Sequence, residues 1–325
     1  MIVPELLRAA APEQMWRPAL RREADGVVVE LGGRPIRSVV EEFVELDGII
    51  DALTRGGRRA AVLSPWVPLL FYDTEPREGL ERCRVQNDAL VRMHERRPDQ
   101  IAVFGAVPLQ APELAAAELA ELMRRDGVAG VEVTASVNGT YLGDPRFEPF
   151  WAVAEATGAL VFVHPTTRGL RDGVFDEHYL WNLVGNPVET TIAAAHLILT
   201  GTMARHPRLR VLLAHGGGAI LSLAGRIRHG QQTVAAAGPV PAERADAIMR
   251  RFLFDSITHD PRLVRLLVDT VGAERVLLGS DYPFDMADAD PVATVRAAGL
   301  GAEAEHALLR GNADRELTAR APATR

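Results

Sequence analysis

Short runs of β-branched and aliphatic residues recur along the chain, each closing on Gly, Pro, Ser, His or Asp. They are Ala60–Ser64, Ile101–Leu109, Gly130–Ala135, Leu160–Pro165, Arg210–Gly217, Phe252–Ile257 and Val276–Pro283. The runs are apolar almost throughout rather than alternating, the pattern of parallel strands covered on both faces. Helical periodicity fills the intervals at Gly79–Arg97, Ala111–Arg125, Pro149–Thr157, Pro187–Arg205, Pro241–Arg251 and Pro261–Val271. Strand alternating with helix at this period predicts repeated βαβ units around a parallel sheet.

Seven such strands are one short of the eight that close a barrel, and the predicted fold is an α/β (β/α)8 TIM barrel. A doubly wound open sheet is the rival, but no Gly-x-Gly-x-x-Gly turn follows the first strand to support it. Residues 26–39 (GVVVELGGRPIRSV) read as a hairpin turning at Gly32-Gly33, a small excursion before the barrel resumes. With no longer repeat and no low-complexity linker, residues 1–317 form a single expected domain, and residues 318–325 read as a flexible tail.

Composition narrows the function classes. Apolar residues make up 47% of the 325, enough for a large core. A net charge of −7 argues against a nucleic-acid partner, because phosphate binding needs clustered Lys and Arg. The single cysteine, Cys83, excludes an internal disulfide framework and a cysteine-based metal site, and its helical setting reads as a packed thiol. No apolar run approaches the roughly 20 residues of a bilayer span. No basic-then-apolar leader opens the chain, so a cytoplasmic protein with no membrane partner is expected.

The polar residues that could do chemistry stand at the C-terminal ends of strands, the face where barrel active sites lie. His164 ends Leu160-Val-Phe-Val-His-Pro, His215 ends Val211-Leu-Leu-Ala-His and is followed by three glycines, and Asp281 ends Val276-Leu-Leu-Gly-Ser-Asp. Each has a bland reading: a core histidine satisfied by backbone, an incidental loop histidine, a helix N-cap. Together, two imidazoles and a carboxylate suit a borderline divalent ion such as zinc. Such an ion lowers the pKa of bound water and polarises a substrate oxygen, while a histidine off the metal moves protons. His94, His196, His206, His229 and His306 read as structural, and Asp260-Pro261 beside His259 reads as a helix start.

At these residues the sequence resembles the aminocarboxymuconate-semialdehyde decarboxylase branch of the amidohydrolase-related family. The resemblance runs through Val62-Leu-Ser, Val107-Pro-Leu-Gln-Ala-Pro-Glu-Leu-Ala, Phe162-Val-His-Pro and Leu183-Val-Gly-Asn-Pro-Val-Glu-Thr-Thr-Ile. It continues in Ala214-His-Gly-Gly-Gly-Ala, Gly225-Arg-Ile-Arg-His-Gly and Gly279-Ser-Asp-Tyr-Pro-Phe. It implies a metal-dependent barrel with His164 and Asp281 as ligands of zinc or another divalent ion, and His215 as the catalytic histidine. It also implies substrate binding by Tyr179, Phe284 and Arg226, the arginine reaching a neighbouring subunit's site to hold a substrate carboxylate, hence a homodimer. The implied reaction is non-oxidative loss of CO2 from a small unsaturated or aromatic carboxylic acid. A lactone or amide hydrolase and a catalytically impaired barrel are the alternatives.

The chain departs from the family pattern in two places. The family opens with an Asp-x-His-x-His strand carrying two zinc ligands; here Met1 stands at the second histidine, so the first barrel strand is expected to be missing. A gene start placed too late, a metal-free relative or a truncation would each account for this, and the DNA upstream of Met1 decides among them. Second, Val40 stands where the family has a substrate-binding arginine, Arg37 matches a different arginine, and Tyr179 replaces a tryptophan. An isopropyl group cannot hold a carboxylate as a guanidinium does, so the substrate is expected to differ from the namesake semialdehyde.

Overall fold

The computed structural model describes residues 1–3, 17–23, 26–31, 34–36, 46–166, 169–170, 173–237 and 245–318. Arg37 and Val40, the glycine pair at 32–33 and residues 319–325 of the expected tail lie outside them. A three-stranded antiparallel sheet comes first: β1 (Ala19–Glu23), β2 (Gly26–Leu31) and β3 (Arg34–Ile36). Leu31 pairs with Arg34 across the expected hairpin. The third strand, β1, was not legible, since Ala19–Glu23 is polar at most positions.

The barrel elements follow, each wall strand separated from the next by one or two α-helices. They are α1 (Leu46–Arg55), β4 (Ala61–Leu63), α2 (Pro76–Arg96), β5 (Ile101–Gly105), α3 (Pro112–Leu122) and β6 (Val128–Thr134). After a small hairpin, β7 (Ser136–Val137) and β8 (Thr140–Tyr141), come α4 (Glu148–Thr157), β9 (Leu160–His164), α5 (Asn186–Leu199), α6 (Thr202–Arg205) and β10 (Arg210–Leu213). The chain continues through α7 (Ile220–Thr233), α8 (Ala245–Met249), β11 (Leu253–Asp255), α9 (Pro261–Val271) and β12 (Val276–Leu277). It closes with α10 (Pro291–Ala297), α11 (Ala302–His306) and α12 (Asn312–Thr318).

Local chemistry sets these boundaries. Asp260 accepts from the Arg262 amide at 2.8 Å with Pro261 in the first turn, which starts α9 where the sequence predicts it. Asn138 and Gly139 both take positive φ, the left-handed pair that a two-residue hairpin between β7 and β8 requires.

Seven parallel strands form the barrel wall, ordered β12-β11-β10-β9-β6-β5-β4. Among the described residues β4 and β12 are therefore its edges, in line with a wall of seven rather than eight. The central strands are buried on both faces, as their continuous apolar runs require: Leu160, Val161, Val163, Val211 and Leu213 are all at 0% exposure. Three strands end at least four residues short of their apolar runs. Beyond Gly105, Leu213 and Leu277 the chain leaves the ladder, and the residues after β10 and β12 form the loops that carry His215 and Asp281.

Candidate metal centre and active site

The parallel ladder determines which side chains meet. Thr134 pairs with His164, and Leu213, two residues before His215, pairs with Val163 and Phe254. Strand ends in register bring their loops together at one face. There His164, His215 and Asp281 converge, each offering a donor atom within 4.8 Å of the others. The rings of His164 and His215 stand edge to face at 5.1 Å, and His215 Nε2 lies 4.0 Å from Asp281 Oδ2.

The backbone is bent to present these groups. His215 and Asp281 both adopt left-handed φ, at 56° and 55°, where a side chain with a Cβ is strained. His215 heads four consecutive positive-φ residues, the rest being Gly216, Gly217 and Gly218. A Cβ at Gly218 would lie 2.1 Å from the Pro187 carbonyl oxygen, so the third glycine allows a close approach to α5.

Hydrogen bonding assigns the ring nitrogens. His164 Nδ1 lies 2.9 Å from the Pro165 carbonyl oxygen. A carbonyl only accepts, so Nδ1 carries the proton and Nε2 keeps its lone pair, the arrangement of a metal-ligating histidine. His215 Nδ1 is buried and has no hydrogen-bond partner. Burial pushes the His164 imidazole down to about 4 and that of His215 to about 3, the latter helped by His164 and His259. Burial pushes the Asp281 carboxyl up to about 7, reinforced by the charges of Asp255 and Glu132. Neutral imidazoles beside crowded carboxyl groups form a site that a cation would stabilise, and this donor set fits a borderline divalent ion.

Two buried carboxylates hold the loops. Glu189 of α5 accepts from the Thr166 amide at 2.7 Å and from the hydroxyls of Thr166 and Ser136, tying down the segment after His164. Asp255, at the end of β11, accepts from the amides of His215 and Gly216 at 2.8 and 2.7 Å. A third carboxylate, Glu132 of β6, is 2% exposed, and burial pushes it up to about 7. Sequence reasoning missed all three. Asp281 could be read because it ends its apolar run, whereas Glu132 and Asp255 lie inside theirs.

The site opens into a cavity of about 1540 Å³ that reaches both edge strands. Tyr179 and Phe284 line it, together with Trp66, Phe162, Trp181 and Tyr282. His259, just after the strand run and beside the helix start at Asp260-Pro261, lines it too, at φ 54°. Arg226 is exposed on α7 and does not line this cavity. His94 and His206 take structural roles: His94 bonds the Ile101 carbonyl at 2.6 Å, and His206 sits between two glutamates. Cys83 is a buried free thiol.

The family described as Amidohydrolase matches residues 72–317. The chain is 32% identical over 267 residues to 2-amino-3-carboxymuconate-6-semialdehyde decarboxylase of Dictyostelium discoideum, covering 80% of this chain and 73% of that one. It is 31% identical to gamma-resorcylate decarboxylase of Rhodococcus jostii, covering 69% and 73%. Its fold matches 5-carboxyvanillate decarboxylase of Novosphingobium aromaticivorans, solved with manganese and a nitrobenzoic acid. The TM-score is 0.80 at 20% identity, over 86% of this chain and 82% of that one.

Proposed function

The chain belongs to the amidohydrolase family, in its aminocarboxymuconate-semialdehyde decarboxylase branch, and is a metal-dependent non-oxidative decarboxylase; from that premise we propose that it acts on a small aromatic acid through His164, Asp281 and His215. The observation that carries this reading is the convergence of those three side chains at the strand ends of one cavity.

His164, through Nε2, and Asp281 would hold the ion, which we propose to be zinc from the mix of imidazole and carboxylate donors. A bound divalent ion would supply Lewis acidity toward a substrate oxygen. His215 acts at Nε2, the nitrogen that faces Asp281, as a proton relay: it takes up a proton from solvent, passes it to substrate and returns to its neutral form. The proton goes to the carbon bearing the carboxylate; the C–C bond then breaks, CO2 leaves, and the bonding pair restores the unsaturated system. No oxidant or reductant takes part. Phe162 stands edge to face with His164 at 5.9 Å, and Phe284 and Tyr282 complete an aromatic wall that suits a planar acid.

Arg226 serves a second copy of the chain in this reading. It is exposed on α7 beside Leu223, and Leu183 and Val184, in the helical turn before α5, are also exposed. An exposed arginine beside an exposed leucine supports a homodimer in which Arg226 grips the carboxylate of substrate in the partner's cavity. Among the described residues no helix is long and apolar enough to cross a membrane. A reduced, buried Cys83 supports a cytoplasmic location.

The test is a parallel screen with divalent metal, following CO2 release from hydroxybenzoic and dienoic acids and acid release from lactones and amides. CO2 from an aromatic acid is the expected result, and turnover confined to lactones or amides would refute it.

A further inference from the structure

We infer that Asp255 is the positioning residue for His215: its carboxylate fixes the left-handed turn that presents the imidazole to His164 and Asp281. The inference rests on the role proposed for His215 and extends it to the residue behind it.

Asp255 is 4% exposed, and both of its oxygens are committed to backbone donors. Oδ2 accepts from the His215 amide at 2.8 Å, and Oδ1 accepts from Gly216 at 2.7 Å and Ile257 at 3.0 Å. A carboxylate so engaged acts through the peptide groups it holds. The turn needs such a hold: His215 is the one residue among four consecutive positive-φ positions that carries a Cβ, and left-handed backbone disfavours it. The Asp255 oxygens anchor the two N–H groups that open the turn, and hydrogen bonds from Gly217 to Ala214 and from Gly218 to His215 close it.

The same strand end reaches the other side of the site. Ser256, 2% exposed, accepts from the Gly279 amide at 3.1 Å, two residues before Asp281. Gly279 itself lies close enough that a Cβ there would meet Asp255 Cβ at 3.0 Å. Asp255 and Ser256 thus form one hub between the loops of His215 and Asp281. An amide in place of the carboxylate would offer one acceptor and turn an N–H toward a peptide N–H, so one of the two loop anchors must be lost.

Asp255→Asn tests this, with Asp260→Asn as the control, because Asp260 is a nearby carboxylate that caps α9 and pairs with the exposed Arg262, away from the His215 turn. In the decarboxylation assay Asp255→Asn is expected to lower kcat at least about 100-fold with KM within about threefold, while Asp260→Asn keeps kcat within about twofold. Hydrogen exchange on the wild-type protein reads the clamp without any turnover. The amides of His215 and Gly216 should be protected well beyond an open loop, and in Asp255→Asn that protection should fall locally while the central strands keep theirs. A folded Asp255→Asn protein with wild-type kcat would overturn the inference. So would wild-type His215 and Gly216 amides that exchange as an open loop does, a result obtainable even if the variant does not fold. If the protein released no CO2 from any acid but the two amides were protected, the functional reading would fail while the clamp stood.

Discussion

Strand β10 has a histidine near each end, His206 buried and His215 half-buried, and the two have opposite surroundings. His206, just before the strand, has a partner at each ring nitrogen: Nε2 meets Glu148 at 2.8 Å and Nδ1 meets Glu155 at 3.3 Å. Its carbonyl accepts from Arg251, and the adjacent Arg210 is bound to Glu316. His215, just after the strand, has left-handed backbone, an unpartnered Nδ1 and a carboxylate 4.0 Å from Nε2. The N-terminal end of the barrel satisfies its polar groups and so stabilises the fold. The C-terminal end leaves donor atoms uncommitted in a cavity, at the cost of strain, and is therefore the end that can bind and react.

Exchanging the histidines one at a time should break this contrast most clearly. His215→Ala should lower kcat by on the order of 1000-fold, the middle of the range for a general acid–base residue, while the protein retains its divalent metal by elemental analysis. Loss of the metal instead would make His215 a ligand rather than the proton carrier. His206→Asn should do the reverse, costing about 1–3 kcal/mol in denaturant unfolding as its glutamates lose a shared partner, with kcat within about twofold.

A smaller effect sharpens the comparison through pH. The folded metal-free protein holds His215 at about 3, below the 6.5 of an exposed imidazole, because burial favours the neutral ring. Between these values the unfolded chain binds a proton that the folded chain does not. The stabilisation from a neutral His215 is thus full above about pH 6.5 and is lost as pH falls toward 3. Metal-free wild type should lose on the order of 1–2 kcal/mol relative to His215→Gln between pH 7 and pH 5 by urea unfolding. Equal losses in the two proteins would show that the ring is solvated.

The two ends of β10 were also unequally legible in the sequence. His215 and Asp281 could be read because an apolar run ending in a polar residue is visible in one dimension, and parallel strands set all such ends on one face. The structural role of His206 was readable only as a helix-end position, since its glutamates lie 51 and 58 residues away. Asp255 stayed hidden inside an apolar run because its partners are backbone amides, which carry no sequence signature. The apolar runs ending at Gly217 and Pro283 overstated their strands for the same reason. Hydrophobicity continues past Leu213 and Leu277, but positive φ at His215 and Asp281 breaks the ladder. The cavity and its aromatic wall needed the fold to bring Trp66, Trp181 and Phe284 together.

The most direct test of chemistry at the C-terminal end is decarboxylation of a hydroxybenzoic acid by the metal-loaded protein in D2O. The product should carry one deuterium, on the carbon that lost the carboxylate, with one CO2 released per product. A product with no deuterium at that carbon, or acid formation without CO2, would contradict the account.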